Sequence, residues 1–532
     1  MRSNAKYLYC QTKQVVINLK NKKMKFNVFT KKRTQVITNH QGEKAYKMTP
    51  EMELYSAVVT TSLEKTTYEN TSDRVKRIRK LIRNCDPVFV AKLAVYARTK
   101  MNLRSIPVVL AVELGKIHKG DNLVSSTIYN IIQRADEITE VLAYYQTTNK
   151  RNGVKKLNRL SKQVQKGIAK AFTKFDEYQF AKYNRKGDVT LKDALFLTHP
   201  KAASEDQQFL FNKIVNNRLE TPYTWEVELS KVGQQYFASA EVKREAVKAT
   251  WETLINSKKV GYMAIMRNLR NILQANVSPD CIRQVADYLS NEQAVLRSRQ
   301  LPFRFLSAYN EVQLINSQYT SYILEALEDA IQISAQNIQG FDIHTRVLMA
   351  CDVSGSMFSA ISAKSKIQCY DIGLVLAMLL QSRSNNTITG IFGDRWMPYN
   401  LPKKGILRNV TALKKIEGKV GYATNGYKVI EYLNKEKKLM DKVFFFTDLQ
   451  MWNSNYRNNN HIQKEWLKYK RNVAPNAKLY LFDLMGHGQA PLRIEQNDVH
   501  LIAGWSDKVF EVMHAIENGN KALSEIKKIN LD

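Results

Sequence analysis

The chain runs to 532 residues, room for two to four domains at about 100–200 residues each. Hydrophobic residues make up 44% and charged residues 24%, with only 21 Gly and 11 Pro, which excludes a collagen-like, linker-like or largely disordered chain. The 81 Lys+Arg against 49 Asp+Glu leave +32, an excess that attracts polyanions; nucleic acid or an anionic membrane surface is expected, with a coding bias toward Lys and Asn as the bland alternative.

Five cysteines (Cys10, Cys85, Cys281, Cys351, Cys369) stand far apart and form no C-x-x-C, so neither a disulfide framework nor a thiolate zinc site is expected. The start, MRSNAKYLYCQTKQ, lacks an apolar h-region, and no run approaches the ~18 apolar residues of a membrane span. A soluble, cytoplasmic protein with no membrane partner is the expectation.

Residues 1–45 alternate weakly (QVVINL, KFNVF, TQVIT) and read as an arm or edge strands. From 46 to 340 the signal is helical. MTPEMELYSAVVTTSLEK, DRVKRIRKLIRN, DPVFVAKLAVYARTK and IPVVLAVELGKIH repeat apolar residues every three or four positions. Thr49, Ser72 and Asp86 are the expected caps, with Pro50, Pro87 and Pro107 near helix starts. Helix pairs recurring about every 40 residues predict a stacked solenoid of HEAT type. A linker falls near Gly340. From 341 to 532, short apolar runs (RVLMACDV, TITGIFG, KVFFFTDL, KLYLFDL, VHLIAGW) alternate with helical stretches, which predicts a doubly wound parallel α/β sheet.

The first of those strands ends in Asp352-Val353-Ser354-Gly355-Ser356. Ligands of open α/β sheets collect at the carboxyl ends of strands. A D-x-S-x-S turn there sets one carboxylate and two hydroxyls around a point above the sheet, oxygen donors suited to a hard cation such as Mg²⁺. So few carboxylates leave the metal residual charge, which an outside carboxylate or phosphate can meet. Thr424 in GYATNGYK and Asp448 at the end of KVFFFTD supply two further strand-end oxygens in the same order. Together these residues resemble a von Willebrand factor A domain, a Rossmann-like fold, with a metal-ion-dependent adhesion site. The resemblance implies that Asp352, Ser354, Ser356, Thr424 and Asp448 surround a divalent cation. Asn425 departs from the family's usual acid and removes a nearby charge. The alternative is that these polar side chains only cap and turn a sheet edge.

Catalysis is not expected. There is no G-x-x-x-x-G-K-[ST], no G-x-G-x-x-G after a strand and no G-x-S-x-G elbow. His487, in LMGHGQAP, could serve as a base, but a loop histidine between glycines is more often merely exposed.

About +10 of the +32 falls on residues 345–532, leaving about +22 on residues 1–344. Residues 150–201 hold fourteen Lys+Arg against four acids. On a helix, Lys155, Arg159, Lys162, Lys166 and Lys170 line one stripe, with Leu157, Leu160, Val164, Ile168 and Ala171 opposite. Such a row suits a phosphate backbone; a solvated face is the alternative. Lys182, Tyr183, Arg185 and Lys186 then lead through Gly187 to a helix ending at Thr198-His199-Pro200-Lys201. Cations beside rings are what single-stranded RNA binding uses.

WEVELSK…WETLINSKKVGYMAIMRNLRNILQANV, followed by LRSRQLPFRFLSAYNEV, resembles the TROVE module, and a TROVE module before an A domain resembles the Ro autoantigen family. The resemblance implies an α-helical HEAT-like repeat ring bridged by the α/β domain, and no enzyme activity. It implies that small noncoding RNA of Y type binds outside and that single-stranded ends of misfolded RNA enter the hole. Lys182, Lys186 and His199 match RNA-contacting positions, with Arg185 and Lys201 as neighbours and Arg267 and Arg270 as weaker candidates. A monomer serving RNA quality control, or scaffolding an exoribonuclease, is the expected protein; a scaffold acting through the metal site is the alternative.

Overall fold

The computed structural model describes residues 35–61, 68–149, 160–184, 187–336, 338, 343–362, 365–453 and 461–532. The expected linker at Gly340 and the runs QVVINL and KFNVF lie outside these; TQVIT yields the short strand β1, Val36–Thr38.

Two of the three expected caps are found. Thr49 accepts from Met52 N at 3.3 Å and starts the helix Pro50–Val59, with proline in the first turn. Asp86 does the same for Pro87–Thr99, accepting from Phe89 N at 3.1 Å. Ser72 is not a cap. Asn70 takes that role for Thr71–Asn84, accepting from Asp73 N at 2.9 Å, while Ser72 sits one residue inside the helix and donates its hydroxyl to Asn70 Oδ1. An amide oxygen two residues earlier outcompetes the serine because it reaches the free N–H groups of the first turn.

Helices pack on one another from Pro50–Val59 to Glu205–Val215 and again from Trp225–Gly233 to Thr320–Ala335. One close approach needs glycine. At Gly167 an added Cβ would lie 2.7 Å from both Ile128 Cβ and Ser125 O, so the helix Lys162–Ala171 can rest on Leu123–Ile131 only without a side chain there.

In the C-terminal part, β3 (Arg346–Asp352), β4 (Asn386–Phe392), β6 (Lys442–Thr447), β7 (Lys478–Asp483) and β9 (Val499–Ala503) run parallel. The short β5 (Trp396–Pro398) adds an antiparallel edge, giving the order β5-β4-β3-β6-β7-β9. The chain leaves β3 toward β4 and leaves β6 toward β7, so the winding reverses between β3 and β6. A second sheet joins β1, β2 (Lys44–Lys47) and β8 (Gln489–Ala490), all antiparallel. The sequence reading missed β5, β8 and the helix Ile406–Lys414, short elements with weak periodicity.

Both ends of the helical array dock on the α/β domain. At the first end, Ser56 Oγ donates to Asp483, Tyr55 Oη donates to Ala503 O at 3.0 Å, and Arg77 Nη2 donates to Gly486 O at 2.8 Å. The buried Arg74 guanidinium donates to Met485 O. At the last end, Glu328 on the helix Thr320–Ala335 accepts from Leu407 N at 3.1 Å and Arg408 N at 2.7 Å, capping Ile406–Lys414 from another element. The array therefore closes through the α/β domain into a ring.

Replacing Glu328 by alanine leaves those helix-end amides without their carboxylate and should cost about 1–3 kcal/mol. A lowered thermal unfolding midpoint checks this; an unchanged midpoint would show that the clasp does not support closure.

Candidate functional site

The reversal between β3 and β6 creates a crevice at the strand ends, and the register pairing Cys351 with Phe446 sets Asp352 beside Thr447. Asp352 Oδ1 accepts from Ser354 N at 2.8 Å, and Asp352 Oδ2 accepts from Thr447 Oγ1 at 2.6 Å. Ser354 Oγ lies 3.3 Å from Ser356 Oγ. The loop of Thr424 is laced to both neighbours: Gly355 N donates to Tyr422 O at 3.3 Å, and Trp452 N donates to Thr424 O at 3.2 Å. Asp352, Ser354, Ser356, Thr424 and Asp448 are thus gathered at one crevice, each at most 6% exposed.

The donors are all oxygen, two carboxylates and three hydroxyls, and they fit a hard divalent cation. Among the described residues no group of three or more His, Cys, Asp or Glu is placed to hold a metal ion, so hydroxyls must carry much of any coordination here. One atom marks the need for a counter-charge. The Ser356 hydroxyl lies by the Asp448 carboxylate, and Asp448 Oδ1 accepts from Gln450 N at 2.9 Å, yet the buried Asp448 Oδ2 has no hydrogen-bond partner.

Asn425 has a reason of its own. Its Nδ2 donates to Asp394 O at 3.0 Å, while Asp394 Oδ1 accepts from Ala423 N at 3.0 Å. A carboxylate at 425 could not make the first bond, so the amide fixes the loop that carries Thr424. Thr447 and Gln450 are site residues the sequence reading missed. Thr447 directly precedes Asp448, and its only signal was that position at a strand end.

His487 is not exposed as expected. It is buried, and Tyr68 and His40 pack edge-on to it at ring separations of 5.3 and 5.5 Å. Burial, then the positive charge of Arg74, holds it well below the usual histidine range, so it is neutral.

Burial first, and the Asp448 charge second, push the Asp352 carboxyl above its ordinary value; burial, with Asp483 nearby, does the same to Asp448. Between the unfolded carboxylate value of ~4 and these raised values, the folded state keeps a proton that the unfolded state has released. The pair's contribution to cation-free stability therefore rises as pH falls from neutrality toward ~4. Asp448→Asn should flatten that dependence and raise the cation-free midpoint at pH ~7.5, while Mn²⁺ should stabilise the wild type more at pH ~7.5 than at ~5. Thermal melts at the two pH values, with and without Mn²⁺, check both signs.

In the helical part, Lys162, Lys166 and Lys170 are exposed on one face of Lys162–Ala171, and Val164, Ile168 and Ala171 are buried on the other. Lys155, Arg159, Arg185 and Lys186 lie outside the described residues. Lys166 Nζ donates to Asn122 Oδ1 at 3.0 Å, and Lys170 Nζ stands 4.3 Å from the centroid of the Tyr129 ring. Gln165 Nε2 donates to Leu197 O at 3.1 Å, which brings this cationic face to the end of the helix Leu191–Thr198. There His199 is exposed in the left-handed region, φ 47°, as the turn out of the helix, with Lys201 exposed beyond it. Phe196 and Leu197, 55% and 50% exposed, stand beside it; their exposure cannot be read from composition. Lys182 is exposed by Tyr178 and Tyr183, and Arg134 stacks 4.2 Å from the Tyr183 centroid.

Arg267 and Arg270 lie on another helix, Tyr262–Gln274. Arg270 pairs with Glu311 at 3.4 Å, and Lys366 of the α/β domain meets the same glutamate at 2.6 Å, a structural link between the two parts. Arg267 is exposed near Arg304, whose guanidinium is lowered by burial and then by the Arg267 charge.

Comparison with known proteins agrees with this architecture. The TROVE domain model matches residues 26–220 and 216–354, and the Ro60 vWA domain model matches 346–516. Telomerase protein component 1 is 23% identical over 346 residues in Rattus norvegicus and 24% over 334 in Mus musculus. In each case half of this chain is covered, and the chain spans about 13% of the length of those relatives. The crystal structure of the Deinococcus radiodurans Ro (RSR) protein superposes with a TM-score of 0.57 at 17% identity, over 88% of this chain and 100% of that one. With TROVE matches spanning more than half its length and an A domain of the Ro60 type after them, the chain belongs to the TROVE family and has the Ro architecture.

Proposed function

We propose that this is a non-catalytic RNA-binding protein of Ro type, which takes small noncoding RNA of Y type and the single-stranded ends of misfolded RNA. One observation carries the reading. The exposed lysines of Lys162–Ala171 are fastened by Gln165 to a helix end where Phe196, Leu197 and His199 stand in solvent. Lysines attract phosphates along a strand, and exposed rings offer stacking surfaces to unpaired bases. Lys182 with Tyr178, and Lys201 beyond His199, extend the same chemistry. Family membership and the Ro fold support the partner class. The cation of the A domain is Mg²⁺ in this reading, held by Asp352, Ser354, Ser356, Thr424 and Asp448. The protein acts as a monomer, in RNA quality control or as a platform for an exoribonuclease. Among the described residues no helix is long and apolar enough to cross a membrane.

The competing reading is a scaffold whose cation captures an acidic group of a protein partner. The burial of all five cation-site residues weighs against ready access from outside.

Anisotropy with a labelled hairpin bearing a 3′ single-stranded tail tests the proposal. Affinity should fall steeply with salt, and changing Lys162, Lys166 and Lys170 together to Ala should lower the log–log salt slope by about two. Phe196→Ala should weaken tail binding about tenfold and leave that slope unchanged, because stacking releases no counterions. Absent or salt-insensitive binding would sink the reading. Cleavage of the RNA in Mg²⁺ would contradict its non-catalytic part.

A further inference from the structure

The crevice that gathers the cation-site residues is closed by the chain itself. The hairpin β1–β2 is anchored on the α/β domain through β8, where Tyr46 pairs with Ala490. From the hairpin turn, Asn39 Nδ2 donates to Met451 O at 2.9 Å, and His40 N donates to Gln450 Oε1 at 3.0 Å. Gln450 is the residue whose own N–H holds Asp448 Oδ1. Tyr68 stacks on His40 with ring centroids 4.9 Å apart and receives a hydrogen bond from Gln41 Nε2. Its hydroxyl stands near Ser356, Asp448 and Asp352, and burial first, then the Asp448 charge, raise it above the usual tyrosine range. Three aromatic rings, those of His40, Tyr68 and His487, therefore pack together as a lid, with the Tyr68 hydroxyl near the cation-site residues.

A lid that merely covered a sheet edge would leave no unmet charge beneath it. Here the unpartnered Asp448 Oδ2 is buried, in a site whose Asp352 is also buried. Two carboxylates under aromatic rings are costly without a compensating cation. We propose that the outward ligand of this cation site is internal: Tyr68, braced by Gln41, His40 and His487, occupies the face an external acid would use, so that a bound divalent cation clamps the segment 36–47 and Tyr68 to the α/β domain. An outside carboxylate reaches the cation only when this cap lifts. The inference rests on the site holding a cation and is independent of RNA binding.

The full-length protein, MnCl₂ as the probe and two separate readouts test it. Electron paramagnetic resonance counts bound Mn²⁺; hydrogen–deuterium exchange with mass spectrometry follows residues 36–47. In the wild type Mn²⁺ should bind and slow exchange of 36–47, and Asp352→Ala should abolish both effects. Tyr68→Ala should still bind Mn²⁺ but lose the slowing, and acetate should then raise its Mn²⁺ affinity while leaving the wild type unaffected. Tyr68→Phe keeps the stacked ring and loses only the hydroxyl, so it covers the case in which the alanine variant unfolds; the Mn²⁺-dependent slowing should shrink about three- to tenfold. Failure of the wild type to bind Mn²⁺ removes the cation site and the clamp together. Bound Mn²⁺ with unchanged exchange at 36–47, or with undiminished slowing in Tyr68→Phe, overturns the clamp alone.

Discussion

Closure of a helical array requires that its two ends meet something rigid, and here they meet the same α/β domain through buried carboxylates. Asp483, at the carboxyl end of β7, takes hydrogen bonds from Ser56 and from the amides of Met485 and Gly486. Glu328 takes the amides at the start of Ile406–Lys414. A carboxylate accepting several N–H groups in a buried place is far stronger than a surface ion pair. Gly486 shows how tight the first contact is: at φ 66°, an added Cβ would lie 2.9 Å from Ala57 Cα and Ser56 O. Everything else depends on this closure, because it orients the cationic helix face relative to the array and brings the first hairpin over the sheet.

That same closure also bears on the cation crevice. The cation crevice arises from local topology, where winding reverses between β3 and β6. Its lid comes from residues several hundred positions earlier in the chain. A cation bound beneath would add electrostatic stabilisation to the hairpin that leads into the first docked helix. Such a cation would act on the ring's own joint, in keeping with the burial of the residues around it, rather than as an open adhesive surface.

Much of this was legible beforehand. The apolar periods located the strands β3, β4, β6, β7 and β9 and most helices, because a parallel strand buried on both faces is a continuous apolar run. The D-x-S-x-S turn, Thr424 and Asp448 were readable because their spacing follows strand ends in order. Asn70 displaced Ser72 as a cap because capping depends on where the first free N–H groups point, which spacing leaves ambiguous within a turn. His487 was misread because its burial comes from His40 and Tyr68, which no local window contains. For Arg270 the sequence left an RNA contact and a bracing role both open, and the fold supplies the bracing partner, Glu311, which Lys366 shares.

The charge with which the sequence opens, +32 over 532 residues, shows the division most clearly. Charge, periodicity and motif order by themselves pointed to a helical array before an α/β domain, to a polyanionic partner and to five candidate cation-site residues, since each is set by side-chain type at short range. Only the tertiary structure decided which lysines share a face with Phe196, Leu197 and His199. It also decided that Asn425 serves as a donor and that Tyr68 stacks on His40 and packs edge-on to His487. These depend on contacts between residues far apart in the chain, and such contacts exist only once closure has fixed the relative positions of the elements.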